Sequence, residues 1–286
     1  MRDKIVLRNI SKVFTRDERE LRALIDINID VKEGEFLSIV GPSGCGKSTL
    51  LNIIAGLLKP TTGEISLDGQ LLKGINTKIG YITQRDNLLP WRTTRGNIEI
   101  GLEIRGVAKS ERKSRAMELI DRVGLAGFDD HFPNELSGGM RKRASLARTL
   151  IYNPDVFLMD EPFSAVDAQT RLILENQLLE LWSGTGNTII FVTHDLEEAI
   201  SLSDRVIVFS ARPGTAKAVN SIPLTRPRDT IKIRFNEDFI KIYGSIWKDL
   251  EEEVGKAEEL KTKAELEKAR EDQEGFRTSI DEDTGL

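Results

Sequence analysis

Apolar residues in this chain follow different rhythms along its length. Near the start they alternate. Lys4 to Asn9 and Leu24-Ile25-Asp26-Ile27-Asn28-Ile29 have the period of two that half-buried strands show. Gly34 predicts a turn, and Glu35-Phe36-Leu37-Ser38-Ile39-Val40 a short apolar strand running into a glycine loop. Leu50, Leu51, Ile53 and Ile54 predict a buried helix from Lys47 to Ala55, stopped by Gly56 and Pro60. Thr62 to Gly69 reads as a hairpin arm and Ile79 to Thr83 as a further strand. From about Thr94 to Leu150 the rhythm turns helical. Ser110 is the predicted cap for Glu111 to Val123, and Gly138 opens a helix through Ala144, Leu146, Ala147 and Leu150. Continuous apolar runs return at Asp155 to Met159, Thr188 to Val192 and Arg205 to Phe209, the pattern of parallel strands covered on both faces. A helical insert thus interrupts an α/β core.

Beyond Pro213 the pattern changes again. Arg226-Pro227-Arg228-Asp229 reads as a turn or linker. Asn236 can cap a helix on which Phe239, Ile242, Tyr243, Ile246 and Leu250 form one apolar stripe. Glu251 to Arg270 is charged with weak helical periodicity, and disorder is expected from Glu271 onward. No internal repeat is evident.

With 286 residues, 39% hydrophobic and 30% charged, the chain can bury a substantial core. No apolar run of about 18 residues occurs, and charges break the start where a signal peptide needs an apolar segment, so the chain reads as cytoplasmic. Cys45, the single cysteine, excludes an internal disulfide; with only two histidines, His131 and His194, a zinc site is not expected. The net charge of -5 argues against broad nucleic-acid binding. That acidity belongs to the tail, where Glu251 to Leu286 holds six Lys and Arg against thirteen Asp and Glu.

Three motifs carry chemistry. Gly41-Pro42-Ser43-Gly44-Cys45-Gly46-Lys47-Ser48, continued by Thr49, matches the phosphate-binding loop. Its glycines let backbone N–H groups turn toward one anion, and the following helix adds its positive end. Lys47 is expected to reach the β- and γ-phosphates and the Ser48 hydroxyl to ligate Mg²⁺. Val156-Phe157-Leu158-Met159-Asp160-Glu161 places two carboxylates at the C-terminal edge of a parallel sheet, where such folds bind ligands. Asp160 is expected to hold Mg²⁺ through water, and Glu161 to act as general base on the attacking water. Leu136-Ser137-Gly138-Gly139-Met140 supplies a helix cap and open N–H groups for a second anion; by itself it also reads as an ordinary loop. Cys45, at a helix N-terminus, is expected to alkylate readily and to be shielded by ATP. His131 matches nothing and reads as a surface or capping residue.

From Lys4 to about Ser210 the chain resembles the ATP-binding-cassette ATPases, whose motifs come in this order. The resemblance implies a P-loop NTPase (RecA-like) α/β core with an antiparallel β subdomain, an inserted α-helical subdomain and a C-terminal helical extension. It implies that Phe14 stacks on adenine, core packing being the other reading. Gln84 would sense Mg²⁺ and the water, Ser164-Ala165-Val166-Asp167 would cross the dimer, and His194 would contact the γ-phosphate. Two cassettes would join head to tail, each ATP held between one phosphate loop and the partner's Ser137-Gly138-Gly139. Met140 and Arg141 depart from the family's usual Gln after Leu-Ser-Gly-Gly, which puts a side-chain contact there in doubt. With Leu88-Leu89-Pro90-Trp91 and Arg226-Pro227-Arg228-Asp229, they are similar to the nitrate, sulfonate and taurine importer branch. There Leu88, Leu89 and Trp91 would receive a cytoplasmic helix of a permease; core packing is the other reading.

The expected organisation is an ATP-binding core at 1–84 and 151–212, a helical subdomain at 85–150 and an extension at 213–286 with an acidic, disordered tail. The function implied is an ATPase at the cytoplasmic face of the inner membrane. Its partners would be a second ATP-binding subunit, permease subunits and, through them, a solute-binding protein, with no nucleic acid. Chromosome or repair ATPases of this type often carry coiled-coil or zinc insertions, and translation-factor types two cassettes; neither occurs here. A purely regulatory nucleotide-binding module would not need Lys47, Asp160, Glu161 and His194 together.

Overall fold

The computed structural model describes residues 2–283 except 17, 18 and 165, with side chains to residue 263, Arg16 apart. Strands β1 (Asp3–Arg16) and β2 (Arg19–Lys32) form a long antiparallel hairpin. On β2, Ile27, Ile29 and Val31 are buried while Asp26, Asn28 and Asp30 face outward or sit half-buried, the alternation read from the sequence. After β3 (Phe36–Val40) and helix α1 (Lys47–Ile54), β4 (Thr62–Leu67) and the short β5 (Gln70–Leu71) complete a four-stranded sheet ordered β2-β1-β4-β5.

The second sheet takes β6 (Ile79–Ile82) and, after the helices α2 (Thr94–Ile104), α3 (Lys109–Arg122) and α4 (Gly138–Leu150), β7 (Val156–Asp160). Helix α5 (Ala168–Trp182) leads to β8 (Thr188–Val192), α6 (Leu196–Leu202) to β9 (Arg205–Phe209), and β10 (Ala216–Ser221) closes the edge. The order is β10-β9-β3-β8-β7-β6, parallel except for β10. Every residue of β3, β7 and β8 is buried, as continuous apolar runs require in a sheet covered on both faces.

Three apolar clusters hold these layers. One sandwiches α1, through Leu50, Leu51, Ile53 and Ile54, between the two sheets. A second packs α2 to α5 on the other face of the parallel sheet around Phe36, Phe157 and Phe191. The third seats α7 (Glu237–Asp283) on α6, β9 and the segment after β10 through Phe239, Ile246 and Leu250. Asn236 caps that helix as its sequence suggests, its Oδ1 accepting from the Asp238 N–H at 2.7 Å.

Three readings change. Ser110 does not cap α3. Extended Ala108 holds that place, and its carbonyl accepts from the Arg112 N–H at 3.0 Å, leaving Ser110 inside the first turn. Arg226 to Asp229 is no free linker. Arg228 is only 8% exposed, and its guanidinium donates to the carbonyls of Ser203 at 2.6 Å and Leu224 at 2.7 Å, and to those of Ile200, Ser201 and Ile222 at 3.3 Å. Arg226 pairs with Asp204 at 2.8 Å and lies 4.4 Å from the centre of the Trp182 ring. Side chains that read as solvent-loving in sequence are consumed by carbonyls at the C-terminal end of α6 and in the segment after β10. Finally, α7 runs to Asp283 where disorder is expected from Glu271. Glu, Lys, Ala and Leu, all strong helix formers, dominate Glu251 to Arg270 and carry the helix on from its packed part. Thr284 to Leu286, at the end of that expected disorder, lie outside the described residues.

Arg228→Ala should lower the unfolding free energy by about 3 kcal/mol, the cost of stranding several buried carbonyls. A urea titration followed by circular dichroism checks this, and Arg228→Lys, a point donor without the planar fork, should recover only part of the loss.

Candidate active site

The phosphate loop leaves β3 at Gly41 and enters α1 through Gly46, which is left-handed at φ 109°. A Cβ there would lie 2.8 Å from the Leu24 side chain and 2.9 Å from the Ala23 carbonyl, so only glycine fits. Lys47 is buried, its Nζ donating to the carbonyls of Gly41 at 2.7 Å and Pro42 at 2.9 Å. The loop, with Ser43, Gly44, Gly46, Lys47, Ser48 and Thr49, lines a cleft of about 380 Å³, closed elsewhere by Phe14, Leu21, Ala23, Gln84, Glu161 and Arg212. Phe14 is 38% exposed and stands in this lining, not in the core. Gly41, Pro42 and Cys45 of the loop are buried and outside this lining.

Across the cleft, the Ser48 hydroxyl donates to Asp160 Oδ1 at 3.1 Å. Burial raises the Asp160 carboxyl pKa; the Ser48 bond opposes this and the neighbouring Glu161 charge adds to it. Tyr81 lies on the adjacent strand β6, and burial followed by the charge of Asp160 pushes its phenol pKa up. Nothing in the local sequence around Tyr81 singles it out; only the β6–β7 pairing does.

Glu161 has φ 44°, a left-handed turn at the end of β7 pinned by its N–H to the Val192 carbonyl at 2.9 Å. This turn brings its Oε2 to 3.1 Å from His194 Nδ1 and 3.5 Å from Gln84 Nε2. Gln84 Nε2 also lies 3.4 Å from Ser164 Oγ. Residues widely separated in sequence thus converge on one carboxylate.

Ser137, Gly138 and Gly139 are not in the cleft lining. Ser137 is exposed and caps α4, its Oγ accepting from the Met140 N–H at 3.3 Å. Gly139 has a packing reason too, since a Cβ there would meet Thr170 at 2.7 Å. Asp167 caps α5 through Thr170, while Ala165 lies outside the described residues. Leu88 packs against the helical cluster, whereas Trp91 is 71% exposed. His131 packs its ring against Phe128 and its carbonyl accepts from Thr94.

A family model described as ABC transporter matches residues 24–164. An uncharacterized ABC transporter ATP-binding protein of Methanocaldococcus jannaschii is 49% identical over 83% of this chain and 89% of its own length. The chain belongs to the ABC transporter ATP-binding proteins.

Other relatives of this ABC ATPase bear out the branch read in its sequence. A taurine import ATP-binding protein of a Jannaschia species is 42% identical, covering 87% of this chain and 96% of the relative. A nitrate import ATP-binding protein of a Synechocystis species is 42% identical, covering 82% and 90%. Among solved structures, a dimeric ATP-binding cassette in a post-hydrolysis state bound to ADP and Pi superposes with a TM-score of 0.70. It is 35% identical and covers 77% of this chain and all of that one.

The expectation of a reactive Cys45 is overturned. Its side chain is 1% exposed, and burial raises the thiol pKa despite the nearby Lys47 charge. The Sγ points beneath the loop, where a Cβ on Gly41 would come within 3.2 Å of it. A maleimide should therefore label the native ABC ATPase at least on the order of tenfold more slowly than the urea-unfolded chain, with MgATP changing the native rate little; intact-mass kinetics check this.

Proposed function

We propose that this chain is the ATP-hydrolysing subunit of an importer for a small anionic solute of the nitrate, sulfonate, taurine or bicarbonate type. It works at the cytoplasmic face of the membrane beside a separate permease, which receives cargo from a periplasmic or extracellular solute-binding protein. The relatives' import activities support the transport class, and no helix among the described residues is long and apolar enough to cross a membrane. The observation that carries the catalytic reading is the Glu161 carboxylate, which has His194 and Gln84 against it and comes directly after the Asp160–Ser48 pair.

In this reading the backbone N–H groups of Gly44 to Thr49 and Lys47 hold the triphosphate, and Phe14 stacks on adenine. Lys47 then exchanges its two loop carbonyls for phosphate oxygens. Magnesium fits the oxygens present. Ser48, Asp160 and the amide of Gln84 are hard donors, while no group of three or more His, Cys, Asp or Glu among the described residues could hold a metal by itself. That suits an ion that arrives on the phosphates and keeps several waters. Bound there, it neutralises charge on the β- and γ-phosphates. Glu161 accepts the proton of the attacking water, and Gln84 and His194 orient that water and the γ-phosphate.

Ser137-Gly138-Gly139 does not line the cleft of its own chain and is assigned to the nucleotide of a second cassette joined head to tail. The dimeric state of the similar solved cassette supports this. The residues divide into an ATP-binding core at 1–84 and 151–212, a helical subdomain at 85–150 and an extension from 213. Exposed Trp91, at the junction of core and helices, is the proposed seat for the permease.

Glu161→Gln should bind MgATP, accumulate as a closed dimer on gel filtration and lose at least about a hundredfold in turnover; near-normal phosphate release would remove Glu161 as the base. Trp91→Ala should leave MgATP affinity intact and reduce the amount of permease that co-purifies, read by quantitative immunoblot.

A further inference from the structure

The turn between β9 and β10 lies against the phosphate loop, and none of the sequence motifs includes it. Its Arg212 lines the same cleft as Phe14, Ser43, Lys47 and Glu161. Arg212 Nε donates to the Gly44 carbonyl at 3.2 Å. Nη2 is so close to the loop that a Cβ on Gly44 would sit 3.1 Å from it. Guanidinium has five N–H donors and no acceptor, and among the described residues only the Gly44 carbonyl takes one of them. The side chain is exposed, with no carboxylate partner among the described residues.

The turn is fixed from several sides. Gly214 exchanges backbone hydrogen bonds with β2, donating to the Ala23 carbonyl at 2.9 Å and accepting from the Ile25 N–H at 3.0 Å. Ser210 Oγ bonds the Pro213 carbonyl at 3.0 Å and the Thr215 N–H at 2.9 Å. The N–H of Ala211, next to Arg212, is held at 2.8 Å by Glu253 of α7. Glu253 is buried and is itself clamped by Lys217 at 2.9 Å and Lys256 at 3.0 Å. A cation with spare donors, mounted on a rigid turn beside an anion cradle, loses little freedom when an anion arrives.

We propose that Arg212 is a further nucleotide-binding residue, giving its free Nη groups to the phosphate chain of ATP while Nε stays on the Gly44 carbonyl. This rests on the reading of the cleft as the ATP site. It also makes the extension part of that site, since Glu253 on α7 anchors the residue next to the contact.

The test is MgATP and MgADP binding by calorimetry, on a Glu161→Gln background that prevents turnover. Arg212→Gln keeps a neutral donor for Gly44 but removes the charge. It should weaken MgATP binding about tenfold, the worth of one charge-assisted contact, and flatten the dependence of affinity on KCl. Arg212→Lys should recover most of the affinity, and the melting temperature without nucleotide should match the parent in both variants. Parental affinity and salt dependence in Arg212→Gln would overturn the proposal. So would a loss that Lys does not rescue and that tracks a lowered melting temperature, which would mean a purely structural clasp on Gly44. Lys47→Ala separates this from the assignment of the cleft. If it too bound MgATP normally, the cleft would not be the ATP site; if it lost binding while Arg212→Gln did not, only the Arg212 contact would fall.

Discussion

The site depends on the register of three parallel strands. Val192 on β8 pairs with Ile39 of β3 on one side and with Asp160 of β7 on the other. The three strands therefore leave the sheet at one level, and each runs directly into a functional segment: β3 into the phosphate loop after Val40, β7 into Glu161 after Asp160, and β8 into His194 after Thr193. A shift of one residue would invert which faces the side chains occupy and separate the two carboxylates from the loop. Such a slip is costly because it would repack every buried side chain of β3, β7 and β8 and draw the charged end of β7 into the sheet.

Onto this fixed edge the helical segment attaches through charged side chains. The buried Lys142 of α4 donates to the Gln84 carbonyl and pairs with Asp86 at 3.0 Å. Arg148 donates to the carbonyls of Asp86 at 2.8 Å and of Asn87, and Ser145 Oγ to that of Asp86 at 3.1 Å. The same helix begins at Ser137. Gln84, which touches Glu161, is thus bonded to the first turns of the helix that Ser137 caps.

A second polar network ties the remaining helices together. Arg171 of α5 pairs with Asp195 at 3.1 Å and with Glu198 at 3.5 Å, and Arg234 pairs with Glu175 at 3.1 Å and also with Glu197. Burial raises Glu198 to about 7 against the pull of its Thr193 bond, and raises Glu175 to about 7 against the Arg234 charge. Both groups thus favour the folded state most at acidic pH and lose that contribution as the pH rises through about 7. Thr193, next to His194, donates to Glu198 at 2.6 Å, so α5, α6, the extension and the histidine turn share one polar network.

Much was legible from residues alone. The alternation in β2, the apolar runs of β3, β7, β8 and β9 and the cap at Asn236 carry local physical signals, and Gly46, Lys47, Ser48, Asp160 and Glu161 sit in short patterns whose chemistry is local. Ser110 misled because a serine in a first turn looks the same as one at its start. Arg228 misled because an arginine that will satisfy five carbonyls is indistinguishable from one in water. Cys45 misled because proximity to a helix end says nothing about which way the Sγ points.

What the sequence by itself determined is the order of the elements and the kinds of chemistry available at their ends, since periodicity, capping and glycine loops are written in neighbouring residues. What only the tertiary structure decided is which distant groups meet. Tyr81 comes against Asp160, Lys142 against the Gln84 carbonyl, and Arg212 against Gly44. These partners are set by strand register and by burial, and both are properties of the packed whole that no local stretch of chain encodes.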